Sequence, residues 1–263
     1  MTIGSFLNVL ISRLPKKESI LGYSKCPDCR KRIAWHDNIP VLSFLFLKGR
    51  CRNCRSKISR QYPLIELLTG FLFLFSFLIY GSDPVFLVYT LFFISLLVVI
   101  AFIDLKHFII LDNLILSGFI VSTLLIFNFQ FPISNEFSIF QFSNCEIITC
   151  SFKDAFWGLS FFAGIFLLLF LSSKGRWLGL GDVKLAALLG FVFGLKGAVN
   201  IFYLTFLTGF IIAIMLLVLK KADLKTQVPL GLIMAGSSIL FLLSGFSMLD
   251  SVNTELILRL WSR

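Results

Sequence analysis

The sequence predicts an all-α polytopic membrane protein with about eight transmembrane helices and a small polar domain in the first loop. Three observations point there. Of 263 residues, 57% are hydrophobic and only 14% charged, with 32 phenylalanines, more apolar surface than a soluble core of this size can hide. The apolar residues fall in runs close to the roughly 20 residues a spanning helix needs, and lipid offers the backbone no partner, so each crossing must be helical. Basic residues are crowded into one loop: thirteen of the 24 Lys and Arg lie between Arg13 and Arg60, against three acids, Glu18, Asp28 and Asp37.

Taken in order, residues 1–14, "MTIGSFLNVLISRL", form a short first membrane helix, and residues 15–62 a polar loop domain. Residues 63–249 carry the remaining spans. Nearly uncharged runs cover Leu67–Tyr80, Pro84–Ile103, Asn113–Ile133, Ala155–Leu171, Gly197–Leu219 and Thr226–Leu249, with a short segment, 185–195, between the fourth and fifth. Residues 250–263 form a tail. No cleavable signal peptide is expected, because the first apolar stretch lacks a basic leading region and a small-residue cleavage site. The positive-inside rule puts the basic loop in the cytoplasm together with Lys106, Lys174 and Arg176, and Lys220, Lys221 and Lys225. Residues 81–84 and 134–154 then fall outside. This distribution follows the membrane and gives the net charge of +10 no need of a nucleic-acid partner.

The loop contains two CxxC hooks, "CPDC" at 26–29 and "CRNC" at 51–54, separated by 21 residues. Cys26, Cys29, Cys51 and Cys54 are the residue type and spacing of a tetrahedral structural Zn2+ site, and a polar loop with little apolar surface to bury needs such a staple to fold. The alternatives are disulfides, disfavoured in a reducing cytoplasm, and a thioredoxin-like pair, which would need a βαβ context. Cys145 and Cys150 sit in the expected external loop, where a disulfide is left open.

Few ionisable groups lie within the apolar spans. Asp104 ends a span in "VVIAFIDLKHFIILDN", Asp112 opens the next, and Asp182 sits in "GLGD" before the short segment. That segment reaches only about 16 Å as a helix against a core of about 30 Å, so it is expected to start near Leu178 and draw Gly179, Gly181 and Asp182 below the surface. There the glycines would let the backbone bend. A carboxylate at such depth is costly enough to suggest function, and a helix-start acid favoured by the macrodipole is the plainer alternative. Asp104 and Asp182 both fall at cytoplasmic helix ends. If they meet, they can share one proton, one activating water while the other polarises a carbonyl. Carboxylates alone also fit a proton or cation transporter, against which stand the lack of inverted-repeat similarity and the union of GxGD with four cysteines. Glu66 at a span boundary is either a contact or a snorkelling acid. Lys184 is placed to act on a carboxylate, and Trp35, Trp157 and Trp177 are placed as interface anchors.

"GSFLNVLISRLP" at 4–15, the cysteine loop running on to "PLIELLTG" at 63–70, "FIDLKHFIILDN" at 102–113 and "GLGDVKL" at 179–185 resemble the bifunctional bacterial prepilin peptidases, or type IV leader peptidases. The resemblance implies a GxGD membrane aspartic protease of the bacterial inner membrane. It would cleave type IV prepilins or pseudopilins on the cytoplasmic side, after a glycine preceding the apolar helix, and N-methylate the new terminus with S-adenosylmethionine. It implies Asp104 and Asp182 as the catalytic pair and Cys26, Cys29, Cys51 and Cys54 as zinc ligands. Leu111 stands where the family has proline, which favours Asp104 over Asp112. Nothing outside the resemblance points to S-adenosylmethionine, since no glycine-rich strand-to-helix fingerprint occurs. A protease without the methyl-transfer activity is the second alternative.

Overall fold

The computed structural model describes residues 1–130, 149, 151–175, 178–219 and 229–244. Cys145, Cys150, Arg176, Trp177, Lys220, Lys221, Lys225 and the tail expected at 250–263 lie outside the described residues. The described chain is helical: α1 Thr2–Arg13, α2 Leu42–Phe46, α3 Gln61–Tyr80, α4 Pro84–His107, α5 Asp112–Gln130, α6 Phe152–Ser173, α7 Leu180–Val218 and α8 Leu230–Ser244. Short 3-10 turns cover Leu14–Lys16 and Trp35–Asn38. Among the described residues the only β pairing is two isolated antiparallel bridges, Lys25 with Arg32 and Arg50 with Lys57. Four helices, α3, α4, α6 and α7, are long and apolar enough to cross a membrane, and α5 and α8 are shorter apolar helices.

The chain divides into two compact units, Met1–Ile103 and Asp104–Arg263. In the first, α1 packs against α3 at a close approach through Gly4, where a Cβ would lie 2.8 Å from the Glu66 Cα. α3 begins at Gln61, six residues before the apolar run expected from Leu67. Its first turn is amphipathic, and helix hydrogen bonding extends past the point where hydropathy stops giving a signal.

In the second unit, α6 and α7 form the main contact. α7 has 39 residues, about 58 Å if straight and roughly twice the hydrocarbon thickness. It is broken at Gly194, whose φ of 63° and ψ of −171° are not helical. Contacts with α6 run in opposite senses on either side of the break. Before it the two helices are antiparallel, with Gly158 against Gly190 and Asp154 beside Gly194. After it they run parallel, with Phe162 and Phe166 packed edge-on against Phe202 at 6.2 and 6.4 Å. The chain therefore reverses at Gly194. The expected segments 185–195 and 197–219 are the two limbs of one broken helix. Backbone groups freed by the reversal find partners: Leu195 N–H donates to Asp154 Oδ1 at 3.2 Å, and Thr149 N–H donates to the Val192 carbonyl at 3.1 Å. Such compensation is what a broken helix inside a bilayer demands.

Candidate functional site: two carboxylates and a four-cysteine cluster

Asp104 lies in the last turn of α4, which ends where Phe108 takes a φ of 51°. Its side chain is 5% exposed. Oδ2 accepts a hydrogen bond from Leu232 N–H at 3.0 Å, and the Gly231 amide also donates to the carboxylate. α8 thus aims its unpaired first-turn amides at Asp104, using the positive end of a helix dipole to hold a buried anion. Gly231 makes this approach possible, since a Cβ there would stand 2.8 Å from Asp104 Oδ2 and 3.1 Å from Ile110 Cδ1. The sequence reading missed Gly231 and Leu232. Their only signal was a glycine just after proline at the start of an apolar run.

Asp182 lies in the first turn of α7, and its Oδ2 accepts a hydrogen bond from Gly179 N–H at 3.1 Å. The plainer reading of Asp182 as a helix-start acid therefore describes its local geometry. That geometry does not exhaust its surroundings, because Asp182 follows Gly181, which packs on Ile110, and Ile110 also meets Gly231 beside Asp104. Ile110 stands between the segments carrying the two acids. It touches Gly231 on one side, and a Cβ on Gly181 would meet its Cβ at 3.1 Å on the other. Neither GxGD glycine takes a positive φ; Gly179, with φ −83° and ψ 154°, is the extended residue at which the chain turns into α7. Gly181 is small so that the Ile110 loop can close on the start of α7.

Lys184 does not pair with Asp182. Its Nζ lies 2.6 Å from Asp112 Oδ1, joining the starts of α7 and α5. The Asp112 side chain is 71% exposed, so this is a surface pair outside the buried carboxylate environment. Trp157 is exposed on α6, as an interface anchor would be. Glu66 does not snorkel, being 7% exposed with Oε2 accepting from Val41 N–H at 2.8 Å.

The sulfur atoms of Cys26, Cys29, Cys51 and Cys54 lie within 4.8 Å of one another. The hooks are one ten-residue unit used twice at an offset of 25 residues. Arg30 N–H donates to the Cys26 carbonyl, Cys26 N–H to the Lys31 carbonyl and Ile33 N–H to the Ser24 carbonyl. Arg55 donates to Cys51, Cys51 to Ser56 and Ile58 to Gly49 in the same pattern. Arg30 and Arg55 adopt matching left-handed φ values of 56° and 57°. Its sequence trace is CxxCR with isoleucine three residues on. The turns point amide N–H groups at sulfur. The Cys26 thiol is lowered to about 6, chiefly by the Cys29 amide, and Cys54 is lowered by Ser56. Although the Lys31 amide favours its thiolate, Cys29 is raised to about 11 by desolvation and by the sulfurs of Cys26 and Cys54. Thiolates this close repel one another unless a cation lies between them.

Comparison with known proteins bears on both sites. Residues 91–217 match the model of the type IV leader peptidase family, and residues 1–80 that of the bacterial peptidase A24 N-terminal domain. A prepilin leader peptidase/N-methyltransferase of Bacillus subtilis is 30% identical over 253 residues, covering 95% of this chain and 93% of that protein. The chain belongs to the type IV leader peptidase family. A relative of the same name from Myxococcus xanthus is 34% identical over 233 residues, 86% of this chain and 64% of its own length. In the Klebsiella pneumoniae relative the match is 46% over 124 residues, 44% of this chain and 54% of that protein. The chain thus spans less than two thirds of these two relatives. No solved structure matches. Within this leader peptidase family member, Asp104 and Asp182 fall in the region matched by the peptidase model, and the four cysteines fall in the region matched by the N-terminal model.

Proposed function

We propose that this chain is a membrane aspartic endopeptidase that removes the leader of type IV prepilins or pseudopilins and N-methylates the new amino terminus, S-adenosylmethionine being the methyl donor. The proteolytic part is supported by Asp104 and Asp182 lying in one compact unit, each held by backbone amides, with Ile110 packed against Gly231 beside Asp104 and against Gly181 next to Asp182. Two carboxylates brought together on one substrate resist ionising together and share a proton. The ionised member takes a proton from water as it attacks the scissile carbonyl, and the protonated member donates a hydrogen bond to the carbonyl oxygen. Methyl transfer is supported by the names of the relatives from Myxococcus xanthus and Bacillus subtilis.

The cysteine cluster fits Zn2+. Tetrahedral zinc with bonds of about 2.3 Å separates its sulfurs by about 3.8 Å, and Cys26 Sγ and Cys54 Sγ stand 3.8 Å apart. Cys26, Cys29, Cys51 and Cys54 would hold the ion, which would neutralise the crowded thiolates and bind the two hooks together. The role is structural. Residues 1–14 form the first membrane helix, 15–62 the cytoplasmic zinc domain with the methyl-transfer part, 63–249 the peptidase and 250–263 the tail. Counting both limbs of α7 with α1, α3, α4, α5, α6 and α8 gives eight crossings of the bacterial inner membrane, with the carboxylate pair facing the cytoplasm.

Cleavage of a prepilin in proteoliposomes, read by mass spectrometry, tests this. Asp104→Asn and Asp182→Asn each abolish cleavage, and the double variant is no worse, because members of one catalytic unit are not additive. Normal cleavage by either single variant overturns the assignment. Detection of the methylated mature terminus separates the bifunctional reading from a protease alone.

A further inference from the structure

Glu66 is a buried carboxylate that the peptidase chemistry does not use. It sits in the second turn of α3, 7% exposed, in a unit whose polar loop at 15–62 holds twelve Lys and Arg. Among the described residues none of these comes within ion-pair distance of it. It is held by neutral donors instead: Val41 N–H at 2.8 Å and the Ser5 hydroxyl. The surrounding backbone is built for this contact. Val41, β-branched, is forced to φ 61° and ψ −49° to present its amide, a conformation such residues hold only when their surroundings impose it. Asn8, also buried, donates to the Tyr62 carbonyl, fastening α1 to α3 one turn before the acid, and to the Gly4 carbonyl of its own helix. The loop is tied in as well, since the Arg52 guanidinium beside the second cysteine hook grips Asp37 at 2.6 and 2.8 Å, four residues before Val41.

A buried carboxylate at a span boundary without a cationic side-chain partner points to a ligand. The donors around Glu66 leave it ready for a further donor of positive charge. The outer surface of the flanking turns is apolar and exposed at Phe6, Leu64 and Leu67. An apolar helix ending in an ammonium fits both features, with its side chains against these turns and its terminus at the carboxylate. S-adenosylmethionine also carries an ammonium, but its polar nucleoside does not match the apolar turns at Phe6, Leu64 and Leu67.

We propose that Glu66 is the catalytic carboxylate that binds the α-ammonium of the cleaved pilin for methyl transfer, an inference that rests on the proposed methyltransferase reading. Glu66 accepts one ammonium proton and so frees the nitrogen lone pair. The lone pair forms the new N–C bond with the methyl group of S-adenosylmethionine as the C–S bond breaks and its electrons pass to sulfur. The product is a secondary ammonium, and the proton leaves Glu66 to solvent.

The test uses the full chain in nanodiscs and a synthetic peptide matching a mature pilin amino terminus, either free or N-acetylated. The wild type binds the free amine about tenfold or more tightly than the acetylated peptide, as expected for a charge-assisted contact. Glu66→Gln loses that preference and most of the kcat/KM for methyl transfer, with the KM for S-adenosylmethionine within about twofold. Zinc content and melting temperature report whether the variant is folded, and Glu66→Asp, which keeps the charge on a shorter arm, recovers part of the preference. An unchanged preference in folded Glu66→Gln overturns the proposal, as does a raised KM for the methyl donor alone. If Glu66→Gln fails to fold, equal binding of the two peptides by the wild type overturns it equally. Wild type that prefers the free amine but methylates no peptide sinks the methyl-transfer reading while supporting amine binding at Glu66.

Discussion

Gly231→Ala is the sharpest probe of the carboxylate environment. A Cβ at this position stands 2.8 Å from Asp104 Oδ2 and 3.1 Å from Cγ, several tenths of an ångström inside van der Waals contact. Ile110 Cδ1, at 3.1 Å, is the end of a flexible side chain and can yield. The carboxylate must also move, and in moving it lengthens the 3.0 Å bond from Leu232 N–H. Hydrogen bonds to charged groups contribute about 1.5–3 kcal/mol, and a displacement of about 1 Å can cost on the order of a hundredfold in rate. A shift of about half that size predicts a fall of roughly tenfold to a hundredfold in kcat for prepilin cleavage, with KM little changed. Alanine is the better helix former by about 1 kcal/mol, so the melting temperature should hold and separate misplacement from unfolding. The assay is steady-state cleavage in proteoliposomes beside a thermal melt of the same preparation. A folded Gly231→Ala variant that cleaves at the wild-type rate refutes the argument that α8 positions Asp104.

Protein purified without chelator should carry close to one zinc per chain by elemental analysis, and the joint change of Cys26 and Cys51 to Ser should release it and open residues 24–60 to proteolysis; metal-free protein with four accessible thiols would contradict the site. Gly158→Leu should cost roughly 1–3 kcal/mol or more in thermal unfolding through overpacking, because the Gly158 backbone lies directly on Gly190 and Gly194; an unchanged melt would show that the first limb of α7 does not pack on α6 as described. Asp112→Asn should keep most of the cleavage activity, and its double-mutant cycle with Lys184→Met should give a coupling below about 1 kcal/mol, since the pair is exposed.

Hydropathy and charge patterning were enough to declare the helical membrane character of the chain, because lipid tolerates backbone only when its hydrogen bonds are closed within the segment. Cysteine spacing likewise announced a cluster, since two residues between thiols let one turn bring both to the same ion. Asp104 and Asp182 were singled out by the cost of burying charge, and that cost is local to the sequence. Partnership is not local. That Asp104 rests on the amides of Gly231 and Leu232, that Lys184 turns to Asp112 and that Glu66 takes the amide of Val41 depend on contacts across 128, 72 and 25 residues, which no periodicity encodes. The same holds for the glycines. Composition shows that a side chain is absent, but only packing shows why: Gly194 carries a reversal with positive φ, while Gly181 and Gly231 leave room for Ile110 and Asp104. The sequence determined which groups are too costly to bury without a purpose, and the tertiary structure decided which donors and neighbours meet that cost, because a hydrogen bond depends on position in space and not on distance along the chain.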